Sequence, residues 1–115
     1  MSRRVPRVLL LDILECADKI IAYTRGMSFD EFVRDGKTID AVVRNFQIIG
    51  EAANRLPTEY KDAVDTVDWF QLRGFRNRIV HDYAGIRYSV VWQLKEGYLP
   101  VLVEEIKRLI EELPE

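Results

Sequence analysis

Residues 71–88, QLRGFRNRIVHDYAGIRY, gather Arg73, Arg76, Arg78 and Arg87 around His81, the only histidine of the chain, against a single acid, Asp82. A guanidinium grips a phosphate through two parallel hydrogen bonds and stabilises charge that builds on it. An imidazole, with an ordinary pKa of about 6.5, can both accept and donate a proton near neutrality. On a helix, Arg73, Asn77 and His81 follow at four-residue steps and form one polar stripe, with Arg76 and Val80 alongside. Asn77 can orient either group. Together these are the parts for cleaving RNA without a metal, in which a 2′-hydroxyl attacks the neighbouring phosphate and no metal-bound water is needed.

Such a cleavage wants one base for the 2′ proton and one acid for the leaving oxygen, whereas the chain supplies one histidine. Two-fold packing of two copies would bring His81 and Arg76 of both to one cleft, giving two imidazoles and two guanidiniums around a single phosphate. Asp82 and Tyr83 are the other candidates for the second proton-transfer group. A purely structural reading competes. A lone histidine near a helix C-terminus often serves the dipole or the terminal carbonyls, and an arginine-rich turn is often a solvated face.

The elements that must position these residues read as helices throughout. Val8, Leu11, Ile13, Leu14, Ala17, Ile20 and Ile21 recur at helical spacing from Val5 to about Tyr23, and Gly26 ends that run. Ser28 followed by Glu31 has the spacing of a capping box, which starts a short helix that Gly36 should stop. Thr38 or Asp40 can cap the next helix, whose stripe of Ile39, Val42, Val43, Phe46, Ile49, Ala53 and Leu56 runs to Pro57. Its other face carries opposite charges one turn apart, Asp40 with Arg44 and Glu51 with Arg55.

A short helical segment around EYKDAV leads to Asp68, a candidate N-cap for WFQLRGFRNRIVH, where Trp69, Leu72, Phe75, Ile79 and Val80 supply apolar contacts. Tyr88 to about Leu113 reads as a long last helix with Val91, Leu94, Leu99, Leu102, Ile106, Leu109 and Ile110 inward. Pro100 should kink it near Glu96. No sustained alternation or tight hairpin signal appears, so the expected fold is all-α, an up-and-down bundle of about four to six helices.

Composition bounds the possibilities. At 115 residues, one domain spanning 1–115 is expected, and 48% hydrophobic with 31% charged residues suits a soluble globular chain. The formal net charge is -2 and the pI about 5.5, so no uniformly basic surface coats nucleic acid, and a polyanion site must be local. Cys16 is the only cysteine, which excludes an internal disulfide and a Cys-based zinc site and fits a reducing compartment. The stretch after MSRR is broken by Arg7, Asp12, Glu15 and Asp18, unlike a signal peptide, and no apolar run approaches the ~18 residues that span a bilayer. A cytoplasmic protein is expected.

The run Arg76-Asn77-Arg78-Ile79-Val80-His81-Asp82-Tyr83 resembles the R-x4-H-x-Y motif of the HepT-like toxins, a branch of the HEPN superfamily of helical nucleic-acid-associated domains. Ile48-Ile49-Gly50-Glu51-Ala52-Ala53 is similar to that family's I-G-E-A stretch. Asp68-Trp69 with Gly74-Phe75-Arg76-Asn77 is similar to its P-W-x-x-x-x-G-M-R-N approach, and Val91-Trp92 with Leu99-Pro100 to its last helix. Arg73 departs from the pattern, standing where the family is often aliphatic.

The resemblance implies a ribonuclease toxin of a toxin-antitoxin pair, acting as a homodimer with a shared cleft. Arg76 and His81 match the catalytic residues, and Asn77 a supporting one, with Arg73, Arg78 and Glu51 as further supporting or RNA-binding candidates. It implies a nucleotidyltransferase antitoxin of the MntA type as partner in a higher hetero-oligomer. That partner would use ATP and magnesium to transfer AMP onto the motif tyrosine, Tyr83. Cleavage itself implies no cofactor and no metal. The alternatives are a non-catalytic helical binding partner of a small nucleotidyltransferase, and a plain structural dimer.

Overall fold

A computed structural model describes the backbone of residues 4–81 and 88–114 and the side chains of residues 5–75 and 88–114. All regular structure among the described residues is helical, as the patterning predicts. The first helix, α1 (Arg4–Thr24), buries Leu9, Leu10, Ile13, Cys16, Ala17 and Ile20. Two members of its expected stripe face outward instead: Val8 is 51% exposed and Leu11 45%. The run Val8-Leu9-Leu10-Leu11 is apolar on every side of the helix, so periodicity alone does not select the packed arc; α3 and α7, which flank α1, do.

The Thr24 hydroxyl donates back to the Ile20 carbonyl at 2.8 Å, and Gly26, at φ +77, then turns the chain in a region that a side chain would disfavour. The capping box forms as read. Glu31 N–H donates to Ser28 Oγ at 3.1 Å and Ser28 N–H to Glu31 Oε1 at 2.9 Å, opening α2 (Phe29–Val33). The Ser28 N–H, and then its hydroxyl, hold the Glu31 carboxyl below its ordinary pKa. Arg34, rather than Gly36, ends α2, and Gly36 is the first residue of α3 (Gly36–Arg55). The cap of α3 is Asp35, not Thr38 or Asp40, because its Oδ1 accepts from the Thr38 N–H at 3.1 Å, three residues on.

Central to the bundle, α3 packs along α1 on one side and α5 on the other. Its stripe is buried as expected, from Ile39 to Ala53, with Asn45, Gly50 and Ala52 added; the Asn45 amide donates to the Ala41 carbonyl at 2.8 Å. After α4 (Thr58–Ala63) and α5 (Trp69–His81) come α6 (Tyr88–Gln93) and α7 (Leu99–Glu112). The last two are joined by a π turn, Leu94–Tyr98, in which Leu99 N–H reaches the Leu94 carbonyl. This is how the kink expected from Pro100 is realised. Proline lacks the N–H that would bond four residues back, at Glu96, and its ring crowds that carbonyl; one wider turn relieves both. With α6, the π turn and α7 taken as one rod, the described residues form six helical bodies.

The rod closes the bundle by packing α7 on α1, where Arg7 Nη2 donates to the Leu113 carbonyl at 3.1 Å. At its outer face Arg108 binds Glu105, Glu112 and, at 3.3 Å, Thr66 Oγ1. Among the described residues no helix is long and apolar enough to cross a membrane.

The π turn also sets up a titration. Burial, and then the nearby Asp68 carboxylate, push the Tyr98 phenol from 10.0 up to about 12. The unfolded chain therefore loses this proton first, so the contribution of Tyr98 is fully present below pH 10 and is lost as pH rises toward about 12. Denaturant titrations between pH 9 and 12.5 should show a fall in stability that is shallower in Tyr98→Phe than in the parent, whereas at pH 7 the two should differ little.

Candidate active-site helix

The helix that carries the motif starts from a fixed point. Asp68 Oδ1 accepts from the Gln71 N–H at 3.0 Å, and the Asp68 carbonyl accepts from Leu72 N–H at 3.2 Å, so Asp68 is the N-cap read from the sequence. Beside it the Trp69 indole N–H donates to the Val64 carbonyl at 2.9 Å, and the ring lies 6.3 Å from Tyr60. The entry to α5 is thus pinned by a cap, a hydrogen bond and an aromatic contact before the first arginine is reached.

One turn on, the buried face of α5 is set by Leu72 and Phe75, at 0% and 1% exposure. Phe75 is held between two rings in edge-to-face contact, Phe46 of α3 at 5.4 Å and Tyr98 of the π turn at 5.8 Å. Edge-to-face pairs prefer one geometry, so the clamp fixes the rotation of α5 as well as its position. Phe75 immediately precedes Arg76. The backbone continues as helix to His81, which sets the Arg76 and His81 positions five residues apart on one rigid element, with Asn77 and Arg78 between them.

The side chains of Arg76, Asn77, Arg78 and His81 lie outside the described residues, as do Asp82, Tyr83 and Arg87 altogether. Of the remaining expected site residues, Arg73 is exposed, and its guanidinium carbon sits 5.3 Å from the centroid of the Phe70 ring. Glu51 is exposed on α3, the helix against which α5 packs. Gly50, beside it in the I-G-E-A stretch, is buried. Among the described residues no group of three or more His, Cys, Asp or Glu side chains could hold a metal ion.

Two contributors escaped the sequence reading. Tyr98 lies far along the chain from the motif, and nothing in its spacing announces that the π turn delivers it onto Phe75. Phe70 did carry a signal: it falls off the stripe of Trp69, Leu72 and Phe75 and onto the arginine side of α5, where it is 76% exposed.

A family model described as "Ribonuclease HepT-like" matches residues 13–109. The chain belongs to this family. Every expected site residue, from Glu51 to Tyr83, falls within the matched span. Three relatives agree with it over nearly their full lengths. "Putative RNase MJ0127" of Methanocaldococcus jannaschii is 35% identical over 113 residues, covering 98% of this chain and 93% of that one. "Probable ribonuclease HepT" of Thermococcus cleftensis is 31% identical over 107 residues, covering 93% and 97%. "Putative RNase TTE0752" of Caldanaerobacter subterraneus subsp. tengcongensis is 32% identical over 108 residues, covering 94% and 96%. No solved structure matches the chain. The all-helical character of the described residues and the membership of the HepT-like family, both expected from the sequence, are thus found.

Substitutions at two residues test how α5 is held. Phe75→Ala removes a fully buried ring and should cost about 3–5 kcal/mol in denaturant unfolding. Asp68→Ala should cost about 1 kcal/mol, and Asp68→Asn, which keeps the cap acceptor, a few tenths of that or less. Equal losses for the alanine and asparagine variants would show that the cap is not what anchors the helix.

Proposed function

We propose that this HepT-like chain is a metal-independent endoribonuclease and the toxin of a toxin-antitoxin pair, working in the cytoplasm as a homodimer with one composite cleft. The observation that carries this reading is the family match over residues 13–109 together with an unbroken α5 that bears Arg76 and His81 in the family's spacing. In the proposed reaction Arg76 holds the scissile phosphate and stabilises the charge it gains. The imidazole of His81 takes the proton from the attacking 2′-hydroxyl, and His81 of the second copy protonates the leaving oxygen. Asn77 orients these groups, while Arg78, Arg73 and Glu51 support the site or the RNA backbone around it.

Silencing follows from the position of the motif tyrosine. A nucleotidyltransferase antitoxin of the MntA type, using ATP and magnesium, would place AMP on the Tyr83 phenol, two residues from His81. The added phosphates would then sit among the arginines that bind the substrate backbone and occupy the cleft as a product would. Toxin and antitoxin would form a higher hetero-oligomer.

Purified protein in chelator should degrade single-stranded RNA, and His81→Ala or Arg76→Ala should slow this roughly 10²–10⁴-fold, the usual worth of a positioned acid–base group. Mass spectrometry after incubation with the antitoxin, ATP and magnesium should find the added AMP on Tyr83, and the modified sample should leave RNA intact. RNA that survives the unmodified dimer would move the assignment to a non-catalytic partner of the nucleotidyltransferase.

A further inference from the structure

Phe70 is the most exposed large apolar side chain among the described residues, at 76%, and it is not bare. The Arg73 guanidinium lies over it, 5.3 Å from the ring centroid. Both sit on α5, whose sequence WFQLRGFRNRIVH contains three arginines and no carboxylate. Helical register puts Phe70, Gly74, Asn77 and His81 on one line, at steps of four, three and four residues. Gly74 leaves that line open: a Cβ built there would meet nothing within 4 Å. A glycine inside a helix costs about 1 kcal/mol relative to alanine, and among the described residues no neighbour requires it here.

We infer that Phe70 and Arg73 form a stacking platform for a nucleobase of the single-stranded RNA that enters the Arg76–His81 site. The inference rests on the ribonuclease reading and extends it to how substrate is held. An aromatic face capped by a guanidinium is the surface on which unpaired bases stack, whatever their identity, and the arginine can reach the adjoining phosphate. Complementary charge selects this occupant: an exposed ring on an otherwise apolar face would suit a protein, but this ring lies on an arginine-rich helix with no acid. Along the axis Phe70 stands about 16 Å from the His81 position, at ~1.5 Å per residue. That is roughly five stacked nucleotides at ~3.4 Å each, fewer where the strand is extended. Gly74 leaves room for the backbone to pass between platform and motif.

The test uses the full chain and single-stranded oligonucleotides spanning a cut mapped with the wild-type protein. In a His81→Ala background, slowed enough that substrate survives the measurement, Phe70→Ala should weaken RNA binding roughly tenfold, Phe70→Trp should preserve it, and Phe70→Leu should behave like alanine. An abasic position scanned over the nucleotides flanking the cut should reproduce the loss at one site, and there Phe70→Ala should add nothing further. In the catalytic protein the same change should raise KM with kcat nearly unchanged. Binding that is indifferent to Phe70→Ala, or equally served by leucine, would overturn the platform while leaving cleavage by the wild type intact. A change in oligomeric mass in Phe70→Ala by light scattering would also overturn it, assigning the ring to a protein interface. Wild-type protein that cuts no RNA would sink both readings.

Discussion

The two edge-to-face contacts of Phe75 are what the rest of the molecule is arranged around. Phe46 supplies one ring from the middle of α3, and Tyr98 the other from the π turn, 23 residues beyond Phe75. α5 touches no other element as closely as it touches α3. Without the clamp it would be an apolar seam free to roll by a fraction of a turn, and an arginine next to the pivot would sweep with it. The orientation of α5 is therefore set by three aromatic residues, Phe46, Phe75 and Tyr98.

The π turn gains its meaning from the same contact. Pro100 forces the last helix to forgo one α-type bond, and a chain obliged to rearrange can place the disturbance where it is useful. Here the widened turn lies beside α5, and Tyr98 within it meets both Phe75 and the field of the Asp68 cap. At the other end of that rod Trp92 is covered by Phe32 at 5.1 Å and Phe29 at 6.0 Å, with Lys95 over its face at 4.1 Å. The five-residue α2, too short to persist alone, is held there by side chains rather than by its backbone.

Much of this was legible in the sequence, and the exceptions have physical causes. The stripe of α3, the Ser28 and Glu31 box, the Asp68 cap and the limits of α5 could be read because each is a local rule with an unambiguous pattern. The buried arc of α1 could not, since Val8 to Leu11 offer apolar atoms in every direction and only the neighbouring helices choose. The cap of α3 was displaced to Asp35 because several acceptors precede the apolar run, and only geometry selects among them. For the site, the motif and its helix were plain, whereas the Phe75 clamp depends on Tyr98, a contact between distant parts of the chain that no periodicity encodes.

The order of packing along the chain has a kinetic side. α1 meets α3 and α3 meets α5, each pair separated by one short segment, so two of the principal interfaces form between near neighbours and carry little loop-closure entropy. The third, α7 on α1, joins opposite ends of the chain and is stitched by Arg7 to Leu113 across 106 residues. A three-helix nucleus of α1, α3 and α5 can therefore assemble first, with the π-turned rod docking onto it afterwards. Because Tyr98 arrives with that rod, α5 would gain its final orientation only when the rod docks, and a nascent chain would hold α5 loosely until Tyr98 had been added and packed.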